Sequence, residues 1–106
     1  MPVQNIEHEK LLKKCLLELS KAGFLAWKNS SGSLPIQNRY ITFGCKGSPD
    51  ILSIHPVTGV FYGWEIKSGN ATQNKHQKLF EKAIKKRNAY YFVIRKIEDL
   101  HERIYS

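Results

Sequence analysis

Cysteine is scarce in this chain: Cys15 and Cys45 are too few for a disulfide framework, and neither has a neighbouring Cys or His at zinc-finger spacing. A disulfide-stapled scaffold and a zinc module are thereby excluded, and a reducing cytoplasm is the expected setting. Long apolar runs are missing too. Nothing approaches the roughly 20 residues of a membrane span, and residues 1–14 are polar and charged where a signal core would be apolar. Acidic residues are the third shortage, 9 against 17 Lys and Arg, for a formal charge of +8 and a pI near 9.6. Such an imbalance favours capture of a polyanion, with nucleic acid the leading partner class and no membrane expected.

What is present fits one domain spanning residues 1–106, because 42% hydrophobic content in 106 residues supports a single core. Leu11, Leu12, Cys15, Leu16 and Leu19 recur at helical spacing, which predicts an amphipathic helix over Ile6 to Ala22 that stops at Gly23. Phe24 to Trp27 reads as a short strand. The segment from Asn29 to Pro35 is dense in turn formers and reads as a surface loop, and Arg39 to Phe43 as a second strand. Asp50 to His55 and Val60 to Lys67 flank Pro56-Val57-Thr58-Gly59, a hairpin composition. Thr72 can cap a helix reaching about Arg87 with Leu79, Phe80, Ala83 and Ile84 on its buried side, and Asn88 ends it. Ala89 to Arg95 reads as a strand and Ile97 to Ile104 as a short final helix. The order is α-β-β-β-β-α-β-(α), an α/β domain without repeats or linkers.

The chemistry concentrates on the predicted hairpin. A four-residue loop sets His55 opposite Val60, and stepping outward along the ladder brings Asp50 opposite Glu65; a three-residue loop with a bulge would shift this by one. Opposed residues share a face with Cβ atoms about 4.5–5.5 Å apart, close enough for two carboxylates to hold one cation. Lys67, two residues beyond Glu65, projects from the same face. Converging carboxylates repel without a counter-ion, and a hard divalent cation such as Mg²⁺ removes that conflict while activating a water beside a phosphate. Lys67 is placed to stabilise the resulting hydroxide or the charge of the transition state. Singly, an exposed Glu-x-Lys pair or a Pro-Asp turn means little; their alignment is what points to phosphodiester hydrolysis.

Gly47-Ser48-Pro49-Asp50-Ile51-Leu52, then Trp64-Glu65-Ile66-Lys67, then Gln77-Lys78-Leu79-Phe80 resemble the VRR-NUC (virus-type replication-repair nuclease) branch of the PD-(D/E)xK superfamily over nearly the whole chain. The resemblance implies a restriction-endonuclease-like core, α-β-β-β-α-β, with a mixed sheet flanked by helices. It implies Asp50 and Glu65 as metal ligands with the carbonyl of Ile66, Lys67 as the catalytic lysine and Gln77 as the helix glutamine beside the site. The expected cation is Mg²⁺, with Mn²⁺ able to substitute. Glu7 and Glu9 both qualify as the family's N-terminal glutamate; periodicity does not choose between them, and spacing to the Leu19–Gly23 segment favours Glu7. His76 reads as a surface residue.

For DNA contact, Lys75, Lys78, Lys82 and Lys85 form one basic stripe on the Gln77 helix, which serves either to track phosphates or simply as a solvated face. Lys28, Asn29, Arg39 and Lys46 bracket the Ser/Gly-rich loop. A chain of this length favours recognition of DNA shape over base sequence. Stand-alone members of the family resemble dimeric junction-resolving nucleases, so the resemblance implies a structure-selective endonuclease at branched DNA or Holliday junctions, acting as a homodimer in a bacterial or phage-infected cell. The alternatives are a less selective nickase, a silent DNA-binding module, and a subunit that acts only with a helicase or primase.

Overall fold

The computed structural model describes residues 3–30 and 32–105. Its elements are α1 (Val3–Lys21), β1 (Leu25–Lys28), β2 (Gly32–Ile36), β3 (Arg39–Phe43), β4 (Ile51–Ile54), β5 (Phe61–Ile66), α2 (Lys75–Lys85), β6 (Tyr90–Ile94) and α3 (Ile97–Ile104). The main sheet has the order β1-β4-β5-β6, antiparallel except for the parallel β5–β6 pair, whose crossover is α2. It is therefore the mixed sheet flanked by helices that the motif order implies.

Alternation along β5 sorts the layers. Trp64 and Ile66 join Leu12, Cys15 and Leu19 of α1, Ile51, Ile94 and Leu100 in one buried cluster, while Glu65 between them points to the other face, toward α2. The polar pair beside this cluster is satisfied: Trp64 Nε1 donates to Ser53 Oγ at 2.8 Å, and that hydroxyl donates to the Tyr62 carbonyl at 2.9 Å. Burying a hydroxyl without such partners would cost a few kcal/mol.

The hairpin register is the one its loop composition predicts. Ile51 pairs with Trp64 and Ile54 with Phe61, so the next step outward sets Asp50 opposite Glu65. His55 locks the loop: its N–H donates to the Val60 carbonyl at 2.9 Å, and its Nδ1 accepts from the N–H groups of Val57 and Thr58 at 3.1 and 3.2 Å. Gly59, at φ 72°, supplies the left-handed residue that closes the turn.

Three expectations need correction. The Ser/Gly-rich segment is not simply a loop, because Gly32–Ile36 pairs antiparallel with Arg39–Phe43 to form a second, two-stranded sheet turned by Gln37 at φ 57°. Helix α2 begins later than Thr72 predicts: Asn74 is the N-cap, its side chain accepting from the Gln77 N–H at 2.9 Å. Leu79 and Ala83 are also exposed, Leu79 by 55%, since α2 packs mainly against β6 and, of its apolar residues, Phe80 and Ile84 are the ones partly covered.

Candidate metal and catalytic site

Asp50 and Glu65 meet at the end of the β4–β5 ladder, each fixed by a different layer of the fold. Asp50 is held by the backbone. Asn29, just past β1, donates its N–H to the Asp50 carbonyl at 2.8 Å, and its side-chain nitrogen donates to Ser48 Oγ at 2.6 Å and to the Pro49 carbonyl at 2.9 Å. The Asp50 carboxylate accepts the Ile66 N–H on Oδ2 at 2.8 Å, so the strand that carries Glu65 also orients Asp50.

Glu65 is 3% exposed, and its two oxygens have unequal surroundings. Oε2 accepts from Gln77 Nε2 at 2.6 Å and lies 3.4 Å from Lys67 Nζ, whereas Oε1 is buried with no hydrogen-bond partner. An unpartnered buried carboxylate oxygen costs far more than an exposed one unless something neutralises it. Burial first, and the Asp50 carboxylate second, push the Glu65 carboxyl up to about 7, with Lys67 pulling the other way. This is the repulsion expected of two carboxylates lacking a counter-ion.

Gln77 cannot turn away from that task. It closes a capping box in which its side-chain oxygen accepts the Asn74 N–H at 2.9 Å, which leaves the amide nitrogen for Glu65. The N-terminus of α2 can come so near because Gly47 has no side chain: at φ 84°, a Cβ there would lie 2.2 Å from the His76 carbonyl oxygen. Gly47→Ala is accordingly expected to destabilise the fold by about 1–3 kcal/mol or more and to break the Gln77–Glu65 contact, as read by denaturant melts and by the Gln77 side-chain amide resonances.

The residue that α1 brings to Asp50 is His8, with Nε2 3.4 Å from Oδ2, a long hydrogen bond in the tautomer protonated there. Neither glutamate considered from the sequence is in that position. Glu7 is exposed and faces a groove beside Ser68 and Gly69, and Glu9 pairs with Lys28 at 3.5 Å. Helix phase carried the signal: His8 stands 4, 7 and 11 residues before Leu12, Cys15 and Leu19, the buried positions among the described side chains of α1.

Asp50, Glu65, Lys67 and Gln77 are thus gathered at one place, and Ile66 contributes backbone there. The predicted DNA contacts are dispersed. Lys78, Lys82 and Lys85 are exposed on a flank of α2, about a quarter turn or more around the helix from Gln77, and Lys85 forms an ion pair with Glu81. Lys75 is exposed at the first turn of α2, Arg39 on the β2–β3 hairpin and Lys46 in the turn before Gly47.

Among the described residues, no three His, Cys, Asp or Glu side chains form a self-sufficient metal cage, and no helix is long and apolar enough to cross a membrane. The two carboxylates and the orphaned Oε1 still fit a hard cation of the kind that takes few protein ligands and completes its shell with water and phosphate oxygens.

Neither a family model nor a curated protein sequence matches this chain. A solved structure described as a VRR_NUC domain superposes with a TM-score of 0.67 at 26% identity, covering 92% of each chain. A likeness of that extent gives the chain the fold of a VRR-NUC domain, which is a PD-(D/E)xK-like nuclease fold.

Proposed function

We propose that this chain is a Mg²⁺-dependent endodeoxyribonuclease whose working groups are Asp50, Glu65, Lys67 and Gln77. The observation that carries the reading is the buried, unpartnered Oε1 of Glu65 beside Asp50, with Oε2 held by Gln77 and approached by Lys67. Asp50, Glu65 and the Ile66 carbonyl would hold the cation, and Mn²⁺ would substitute. Bound there, the cation supplies Lewis acidity toward a phosphate and a lowered pKa for a coordinated water. The chain's own part is to orient and to balance charge. Gln77 fixes the Glu65 rotamer, and Lys67, its side chain 15% exposed, offsets charge building on the phosphate as water attacks.

The finer reading is branched or four-way junction DNA cut by two paired copies, with Lys28, Arg39, Lys46 and Lys75 meeting phosphates. It is supported by the isolated β2–β3 ribbon, since a two-stranded sheet alone is marginal in water and gains from lying against a second copy or in a DNA groove. Incubating the chain with Mg²⁺ and labelled blunt duplex and four-way junction tests both levels. Cutting of the junction alone supports the finer reading, equal nicking of the two leaves a less selective nuclease, and no cutting of either rejects the proposal.

His8 enters as an orienting group for Asp50. Replacing it with Ala is expected to weaken Mn²⁺ binding about 10- to 100-fold by calorimetry, as loss of a hydrogen bond to a metal-binding carboxylate does elsewhere. His8→Gln, which keeps a donor, should recover most of it.

A further inference from the structure

A groove of about 710 Å³ runs along the outer side of α1 and ends at Ser68–Gly69, directly after Lys67. Its α1 wall carries Lys10, Lys13 and Lys14, and Arg95 closes the far side with its Nη1 donating to the carbonyls of Gly69 at 3.1 Å and Ala71 at 2.7 Å. Glu7 is the single carboxylate among its lining residues, so the groove is strongly cationic. Its floor is apolar, formed by Leu11 and by Leu17, which is 55% exposed.

We propose that this groove holds one unpaired DNA strand as it leaves the catalytic centre, phosphates toward Lys10 and Lys14 and sugars and bases over Leu11 and Leu17. This rests on the nuclease reading and adds to it the path of the strand. Charge complementarity selects a polyanion. The apolar floor selects a single strand, because a duplex presents little but phosphates to such a surface, whereas an unpaired strand also exposes apolar base faces. Continuity with Lys67 through Ser68 and Gly69 joins the groove to the site, and Arg95 keeps that turn in place. Lys82 and Lys85 of α2 lack this continuity, since they line a separate surface with Glu81 and Lys86.

The test is fluorescence anisotropy with two probes, a blunt duplex and the same duplex bearing a single-stranded overhang, with Ca²⁺ replacing Mg²⁺ to suppress hydrolysis. Three proteins are compared: wild type, Lys10→Ala/Lys14→Ala/Leu17→Ser, and Lys78→Ala/Lys82→Ala. All substituted positions are exposed, and circular dichroism checks folding. The groove variant should lose about tenfold or more in affinity for the overhang probe and little for the blunt one. Its salt dependence should flatten by about 1.4 in log–log slope, near 0.7 for each lost single-strand phosphate contact. The α2 variant should bind both probes like wild type.

Unchanged overhang affinity in the groove variant overturns the inference, as does an equal loss on both probes or a larger loss in the α2 variant. Cleavage is assayed separately with Mg²⁺ on the same overhang DNA. Groove-dependent binding without cleavage rejects the nuclease reading and leaves a strand-binding groove, whereas cleavage with no groove dependence rejects the groove alone.

Discussion

Asp50→Asn and Glu65→Gln proteins are each expected to lose DNA cleavage by at least about a thousandfold, equivalent to about 4 kcal/mol of transition-state stabilisation, while remaining folded. Both substitutions keep side-chain shape and remove the negative charge that a hard cation requires. Glu65→Gln should also raise thermal stability in the absence of metal. The wild-type carboxyl is buried with one oxygen unpartnered and crowded by Asp50, so a neutral amide relieves a cost that the native residue bears. DNA affinity in these variants should hold or tighten, because a carboxylate facing a phosphate without a cation repels it. Melting curves, anisotropy and a gel cleavage assay read the three properties, and a wild-type cleavage rate in either variant would move the catalytic centre elsewhere.

Lys67→Ala is expected to abolish cleavage to a similar degree and yet to change Mn²⁺ affinity little. The Lys67 ammonium lies 3.4 Å from the Glu65 oxygen that Gln77 already holds, so its loss leaves the Glu65 rotamer in place and exposes no additional carboxylate oxygen. A lysine serving only to neutralise Glu65 would behave otherwise: its removal would alter metal affinity as much as rate. Calorimetric titration beside single-turnover kinetics separates these outcomes, and Lys67→Arg should recover little, since a guanidinium fork is a poor substitute for a compact point charge.

Much of this site was legible because turn chemistry sets register. Pro56 to Gly59 makes a four-residue loop, and counting outward from His55 and Val60 places Asp50 opposite Glu65, as the Ile51–Trp64 pair and its neighbours require. The phase of α1 was legible for the same geometric reason, with Leu12, Cys15 and Leu19 buried. His8 falls on that phase too, but a histidine lacks the carboxylate that marks a cation ligand in a sequence, so its place beside Asp50 was not legible there. Strand β2 escaped notice because its sequence, Gly32-Ser33-Leu34-Pro35-Ile36, has turn composition, and its pairing with β3 outweighs local propensity. The width of the α2 interface was illegible too. Periodicity marks an apolar face, but only the tertiary arrangement decides whether a neighbour covers Leu79 and Ala83 or leaves them to solvent.

Burial gives the site a pH signature whose sign is fixed. The Glu65 carboxyl is raised from an ordinary 4.5 to about 7 in the folded metal-free chain, so its protonated form contributes stability below about 4.5 that is lost as pH climbs through 7. A cation binding to the carboxylate must therefore displace a proton when pH is below about 7. Apparent metal affinity should rise with pH across this window.

Calorimetric titration of Mn²⁺ into the wild-type chain and the Glu65→Gln variant, at pH 6 and pH 8 in buffers of different ionisation enthalpy, tests the central claim most directly. The account predicts wild-type binding that is tighter at pH 8, release of close to one proton per ion at pH 6 and far less at pH 8, and loss of binding in the variant. Equal Mn²⁺ affinity in the two proteins, with no proton released at pH 6, would contradict it.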